Sequence, residues 1–293
     1  MVKKIVISLC VIVALGILIF KLYFHYDLPL YEGEISISGL EQPVNVYSDE
    51  WGVPHIYAET ENDLFLTAGY IAARERLWQM TVVGSAARGE LSKLFGKDML
   101  GSDIYLRTWR IPEIGRKGAE QLRPETKNLV QHFCDGINAW VDEVDDNLPP
   151  EFKIIGSKPI KWVPSDVIGY ARLMAHDLQQ SWKPEILFGS VLDVYGEEKL
   201  LELLPPYGDD KPTIANIDMP DGLHDLFAEI SRQESIIRQL TGTDGTDIGS
   251  NCWVISGSKT KSGKPLLAND PHLGYTQPAK WYEMHMVGGR FNV

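Results

Sequence analysis

The residues whose types and spacing could do chemistry lie between positions 249 and 272. A glycine-serine pair, Gly249–Ser250, stands directly before a run of alternating residues that predicts a β-strand. A second apolar run follows a turn at the sequence TKSG, so residues 251–269 are predicted to form a β-hairpin. An exposed serine at the start of a strand is one arrangement for a nucleophile, and a simple surface loop is the other interpretation.

The predicted hairpin brings one histidine back toward the serine. A loop centred near residues 261 and 262 would place Ser250 opposite a residue near position 273, within about two positions. His272 falls inside that window. A serine hydroxyl with a histidine beside it is a common basis for nucleophilic catalysis. The residues alone leave both the nucleophile and the surface loop open.

Composition limits the kind of protein that presents this hairpin. The chain has 293 residues, 44% of them apolar and 23% charged, which is typical of a globular protein. Its 28 basic and 40 acidic residues give a net charge of −12, so it lacks the basic surface that nucleic acid would require. Cys10, Cys134 and Cys252 are too few and too scattered for a disulfide framework, and each is expected to be a small buried apolar residue.

The N-terminal segment predicts contact with a membrane. Two lysines precede an apolar run through residues 5–24, and about 20 apolar residues can span a bilayer. The sequence LYFHYD after the run lacks the small residues of a cleavage site, which favours an uncleaved anchor over a signal peptide. The lysines keep the N-terminus in the cytoplasm, so residues 25 onward are expected on the extracytoplasmic side. A buried core helix and a cleaved signal are the alternatives.

Periodicity predicts a largely helical body between the anchor and the hairpin. Helices are predicted in ENDLFLTAGYIAARERLWQM, where Thr60 and Asp63 resemble a capping pair, and over Pro124–Val144, 164–203 and, more weakly, 224–240. The alternating sequences EISISGL and PVNVYSD predict short strands. The polar sequence TGTDGTDIG, residues 241–249, has the composition of a linker. His55 and His132 are expected to be solvated or core residues, since neither has a second metal ligand nearby in sequence.

Several motifs together resemble one known family. They are GSNCWVISGSKTKSGKPLLANDPHL, WYEMHM, WGVPHIYAET, AGYIAARERLWQM and RGELSKLFG, which cover most of the chain after the N-terminal segment. This pattern resembles the penicillin acylases, which are N-terminal-nucleophile hydrolases. The resemblance implies an α+β fold, the αββα sandwich of that class, incomplete here, with a largely helical light-chain region preceding it.

The resemblance also implies a reaction for the glycine-serine pair. Members of the family cut their own backbone before the serine, so Gly249–Ser250 would be the scissile bond and Ser250 the first residue of a new chain. A free α-amino group has a pKa of about 8, which suits a general base. Ser250 would then attack a small-molecule N-acyl amide of the penicillin, cephalosporin or acyl-homoserine lactone type. The chemistry would need no cofactor.

Other positions acquire roles through the same resemblance. His272 would orient the nucleophile, and Leu273, Met174 and Leu178 match positions that line an acyl pocket. Glu185 matches a ligand of a structural calcium ion. Core packing explains the three apolar residues equally well, and a solvated helix carboxylate explains Glu185.

The resemblance divides the chain into four parts. Residues 1–24 would be the membrane segment, 25–208 a light-chain region, 209–249 a spacer, and 250–293 the start of a heavy chain that pairs with the light chain. Family members continue for several hundred residues that supply the oxyanion-hole donors, so the sequence is expected to be truncated. The alternative is a non-catalytic relative that acts as a binding protein. A conventional serine hydrolase is disfavoured, since no GxSxG elbow surrounds Ser250.

Overall fold

A computed structural model describes residues 2–23, 31–145, 147–179, 182–204, 223–244 and 249–293. Within them the chain forms ten α-helices and six β-strands, an α+β arrangement rich in helix. The helices are α1 (Val2–Tyr23), α2 (Glu61–Ala87), α3 (Leu91–Phe95), α4 (Leu100–Thr108), α5 (Ile111–Glu120), α6 (Pro124–Val144), α7 (Pro150–Ile155), α8 (Pro164–Leu178), α9 (Trp182–Leu203) and α10 (Leu223–Thr241). The strands are β1 (Asn45–Ser48), β2 (Pro54–Tyr57), β3 (Gly249–Ile255), β4 (Leu266–His272), β5 (His285–Gly288) and β6 (Phe291–Asn292).

The helices agree closely with the periodicity of the sequence. Helix α6 has the predicted bounds, and α2 begins as its capping pair predicts: the backbone N–H of Asp63 donates to Thr60 Oγ1 at 3.0 Å. The stretch 164–203 forms two helices, α8 and α9, rather than one. Helix α10 covers the weakly amphipathic segment and contacts α4.

Helices α2 and α6 form the centre of the main core, and two glycines allow their close approach. A Cβ atom on Gly136 would lie 1.8 Å from the Leu66 carbonyl oxygen, and one on Gly69 would lie 2.0 Å from the Phe133 carbonyl oxygen. Each helix therefore lies directly on the backbone of the other. Around this contact the aromatic rings of Tyr70 and Trp140 meet edge to face, with centroids 5.5 Å apart.

The variant Gly136→Ala is expected to be strongly destabilised, because the added methyl group must push α2 and α6 apart. Overpacking of this kind typically costs about 1–3 kcal/mol or more in the free energy of unfolding, which urea denaturation would measure. Gly169→Ala on α8 is the matched control, since its nearest neighbour is the Ala87 methyl carbon at 3.4 Å. Equal stability of the two variants would contradict the close approach described here.

A four-stranded sheet pairs the segment that holds β1 and β2 with the segment that holds β5 and β6. Its order is β1-β2-β5-β6, with β2 and β5 parallel and the outer pairs antiparallel. Ile56 of β2 is fully buried against the main core, and Met286 of β5 packs against the same cluster. Because side chains alternate along a strand, the neighbouring residues His55 and His285 lie on the opposite face.

Two expectations from the sequence are wrong. The segment EISISGL forms no strand; Ile37 instead packs on the main core. The pattern of alternation is therefore satisfied by a core contact rather than by strand pairing. Cys134 is buried as expected, but Cys10 and Cys252 are exposed, because α1 and strand β3 are exposed along their described length.

Helix α1 is the candidate membrane segment. It is the one helix among the described residues that is long and apolar enough to cross a bilayer, with a mean hydropathy of 2.5 over Lys3–Lys21 and no buried residues. Length and composition alone carry this assignment, and they are weak support because a signal sequence has the same features. The membrane anchor therefore stays a prediction.

Candidate functional site

Strands β3 and β4 form the predicted hairpin, with Gly249–Ser250 at its start. The pairing sets Ser250 opposite Pro271 and Gly249 opposite His272, two positions from the expected register and within the stated window. A short 3-10 turn at Gly257–Lys259 lies in the connection. Both residues of the glycine-serine pair are exposed, as a peptide bond open to chemistry must be.

The Ser250 hydroxyl lies against the peptide bond that precedes it. Its Oγ donates a hydrogen bond to the Gly249 carbonyl oxygen at 2.6 Å. A hydroxyl in this place is close to the carbonyl group of its own N-terminal peptide bond. The arrangement combines a nucleophilic oxygen, an exposed carbonyl and a glycine without a side chain to shield it.

The structure brings His272 to the same end of the hairpin but not to the Ser250 hydroxyl. Its Nε2 lies 2.9 Å from an Asp270 carboxylate oxygen. Cross-strand partners share a face of a sheet, so Ser250 and His272 lie on opposite faces in this register. The orienting role of His272 stays a prediction.

A buried polar network holds the chain just before the glycine-serine pair. The Thr241 hydroxyl donates to the Asp177 carboxylate at 2.8 Å, and the Arg238 guanidinium donates to the backbone carbonyls of Asp177 and Thr243. All four side chains are less than a tenth exposed. The composition of residues 241–249 predicted a linker, yet Thr241 and Thr243 are fixed to the end of α8.

The three predicted pocket residues lie on elements that this network joins. Met174 and Leu178 lie on α8 beside Asp177, and Leu273 follows β4. The Gly274 backbone N–H donates to the Gly242 carbonyl oxygen at 3.1 Å, which joins the Leu273 segment to the end of α10. Met174 and Leu273 are half-buried, and Leu178 is 46% exposed. Their role in an acyl pocket stays a prediction.

Lys280 is a candidate site residue that the sequence did not indicate. Its Nζ is buried and has no hydrogen-bond partner among the residues that the structure describes. Burial lowers the pKa of Lys280, while the nearby Asp177 charge opposes that shift. Burial likewise raises the pKa of Asp177. The spacing of Asp177 and Lys280 in the sequence does not indicate that they lie close together. They become neighbours only because α10 and the hairpin fold back onto α8.

An aromatic cluster lies beside Asp177. The Tyr105 hydroxyl and His176 Nε2 are 2.9 Å apart, and the Trp109 ring lies 4.7 Å from the His176 ring and 5.6 Å from the Trp182 ring, measured between centroids. Burial lowers the pKa of His176, so its neutral form is favoured. The cluster forms an aromatic surface around the end of α8.

Glu185 lies exposed in the first turn of α9. Among the described residues no group of three or more His, Cys, Asp or Glu side chains is arranged to hold a metal ion. The structure brings no further carboxylate ligand to Glu185 within those residues, and its role as a calcium ligand stays a prediction.

Comparison with known proteins identifies the family. The family model for penicillin amidase matches residues 43–293, which is most of the chain and includes the hairpin. The chain belongs to the penicillin amidase family. This finding confirms the family that the motifs of the sequence indicated.

Curated relatives are 27–29% identical to this member of the family over the regions that align. It is 29% identical to penicillin acylase 2 proenzyme of Pseudomonas sp. (strain SE83) over 91% of this chain and 35% of the relative. It is 27% identical to penicillin G acylase of Escherichia coli over 93% and 38%, and 28% identical to acyl-homoserine lactone acylase QuiP of Pseudomonas aeruginosa over 87% and 30%. The chain thus spans about a third of the length of these relatives.

Among solved structures, thermostable penicillin G acylase from Alcaligenes faecalis aligns with a TM-score of 0.49 and 24% sequence identity. The alignment covers 61% of this chain and 100% of that chain.

Proposed function

We propose that the protein is an acylase that hydrolyses the amide bond of N-acyl compounds with Ser250 as its nucleophile. The observation that carries the proposal is the exposed Ser250 hydroxyl, 2.6 Å from the carbonyl oxygen of Gly249. Membership of the penicillin amidase family supports the reaction class. The relatives named above include both penicillin acylases and acyl-homoserine lactone acylases, which supports an acyl amide as the substrate.

The proposed nucleophile is released by self-cleavage. Ser250 Oγ attacks the Gly249 carbonyl carbon, the new carbon–oxygen bond forms as the carbon–nitrogen bond breaks, and the hydroxyl proton passes to the leaving nitrogen. This shift frees the α-amino group of Ser250. Water then hydrolyses the resulting ester, which releases the Gly249 carboxylate and restores the Ser250 hydroxyl. One relative is described as a proenzyme, which supports such a maturation step.

After cleavage the same residue would carry both the nucleophile and the base. The free α-amino group, with a pKa of about 8 in an unperturbed terminus, takes the hydroxyl proton as Oγ attacks the substrate carbonyl. The proton passes to the departing amine, an acyl-enzyme forms, and water releases the acid. The residues in these steps need no cofactor. The hairpin and the four-stranded sheet would contribute to the two sheets of an αββα sandwich.

The acyl group is proposed to bind between the end of α8 and the segment after β4. Met174, Leu178 and Leu273 would contact its apolar part, and the Trp109–His176–Trp182 cluster would extend that surface. Such a pocket suits an apolar or aromatic acyl chain, because flat apolar walls bury more of it.

Acid release from a panel of N-acyl amides tests the proposal. The purified full-length protein should release acid from phenylacetyl amides or from medium-chain acyl-homoserine lactones at a measurable rate. Replacing Trp109 by alanine should change the ranking of acyl chains, whereas replacing Trp51, which is 83% exposed and outside the aromatic cluster, should not. Failure of every substrate with correctly folded protein would contradict the proposed reaction.

We further propose that α1 anchors the protein so that residues 25 onward face the extracytoplasmic side. The support is the apolar span Lys3–Lys21 with lysines before it. A reporter active only outside the cytoplasm, fused after Tyr31, should give activity in the membrane fraction. Deleting residues 1–24 should leave the product inside the cell, and a soluble product of the intact gene would instead indicate a cleaved signal.

A further inference from the structure

Two histidines from opposite ends of the chain meet on the outer face of the four-stranded sheet. His55 of β2 and His285 of β5 are direct partners in the parallel register. Their Nδ1 atoms lie 3.0 Å apart, and both side chains are partly buried. Neither residue takes part in the proposed hydrolysis.

An oxygen atom lies near the outer nitrogen of each ring. His285 Nε2 is within hydrogen-bond distance of Asn292 Oδ1, at 3.2 Å, and His55 Nε2 lies at the ion-pair distance of 3.6 Å from a carboxylate oxygen of Asp49. An oxygen acceptor favours the tautomer with hydrogen on Nε2. With hydrogen on both Nε2 atoms, the two Nδ1 lone pairs lie 3.0 Å apart, an arrangement that a bound cation would stabilise.

We propose that the His55–His285 pair is a binding site for one divalent transition-metal ion, such as Cu²⁺ or Ni²⁺. Metal-binding histidines characteristically donate their other ring N–H to a carboxylate or carbonyl oxygen. The His285 ring has such a contact with Asn292 Oδ1, and the Asp49 carboxylate lies at ion-pair distance from the His55 ring. Two imidazole nitrogens are good ligands for these ions, and water would complete the coordination.

The spacing of the two nitrogens allows one ion to bind both. With metal–nitrogen bonds of about 2.0–2.1 Å, a separation of 3.0 Å gives an angle of about 90–97° at the metal. That angle suits the tetragonal geometry of Cu²⁺ or Ni²⁺.

Asp49 supplies the nearest negative charge. Its carboxylate accepts the backbone N–H groups of Trp51 and Val53, both at 2.9 Å. An aspartate is ionised at neutral pH, so this carboxylate adds negative charge beside the pair. The His55 side chain is 32% exposed, which leaves a path for an ion from solvent.

The site has a further consequence that rests on the proposed self-cleavage. His55 precedes the Gly249–Ser250 bond and His285 follows it, so a bound ion would link the two chains after the cut. Binding of the ion itself does not require cleavage, and the uncut Ser250→Ala variant should bind it equally. The two proposals can therefore fail separately.

Titration of the chelator-stripped protein with Cu²⁺ tests the site, with calorimetry for affinity and electron paramagnetic resonance for the ligands. One ion should bind saturably, with a splitting pattern from two imidazole nitrogens. His55→Gln and His285→Gln should each abolish this pattern, and Asn292→Ala should weaken binding by about 10–100-fold. Circular dichroism would check that each variant is folded.

The matched control is His132→Gln on α6, far from the sheet, which should leave copper binding unchanged. Copper binding of equal affinity in the wild-type, His55→Gln and His285→Gln proteins would overturn the proposal. So would the absence of saturable binding to the folded wild-type protein, which would indicate that the two nitrogens share a proton instead.

Discussion

Replacing Ser250 by alanine is expected to leave the chain uncut and to abolish amide hydrolysis. The variant removes the oxygen that attacks the Gly249 carbonyl. Because the cut is then prevented, the free α-amino group that acts as the base is not formed either. Loss of a serine nucleophile alone can cost about 10⁶ in kcat. Gel electrophoresis of the purified product and its rate of acid release would measure the two effects.

Ser262→Ala is the control for this prediction, since Ser262 is also an exposed serine in the same hairpin. It should be cut and should hydrolyse amides like the wild-type protein. If Ser250→Ala is cut normally while its fold is intact, another residue performs the cleavage. If it is cut normally and remains active, Ser250 has neither proposed role.

Arg238→Met is expected to cause the largest loss of stability among single changes near the site. The Arg238 side chain is 7% exposed and lies 3.9 Å from the buried Glu234 carboxylate, and it donates to the Asp177 carbonyl at 2.7 Å. Removing one partner from a buried charged network typically lowers the free energy of unfolding by about 3–5 kcal/mol, because the remaining buried charge no longer has an opposite charge beside it. Urea denaturation would measure the change in the free energy of unfolding.

Arg232→Met on the same helix is the matched control. Arg232 is exposed and pairs with Glu229 on the surface, where ion pairs contribute little. Its stability should stay close to that of the wild-type protein. Because Arg238 also holds Thr243, which precedes the proposed cut, slower processing of Arg238→Met is expected under conditions where it remains folded. Equal stability of the two variants would contradict the network described above.

The helices could be predicted because their signals are local. Apolar spacing and a capping threonine lie within one segment, so α2 and α6 follow from the residues that form them. The hairpin followed from two apolar runs and a turn, although its register differs by two positions from the expected one. EISISGL had a strand pattern, but Ile37 packs on the main core instead, and no local pattern reports such a tertiary contact.

The site could be predicted only in part for the same reason. The hairpin brings Ser250 and His272 to the same end, as their spacing predicted, but on opposite faces. Lys280 and Asp177 approach each other only after α8, α10 and the hairpin have packed together. The His55–His285 pair is more distant still, since its two members are 230 positions apart and become neighbours through parallel strand pairing.

The central claim is that the Gly249–Ser250 bond is cut to expose the nucleophile. The most direct test is the N-terminal sequence and intact mass of the larger fragment of the purified full-length protein. The account predicts a fragment that begins Ser-Asn-Cys-Trp-Val, the residues from Ser250 onward. A larger fragment that begins at any other residue, or an active protein that remains a single uncut chain, would contradict it.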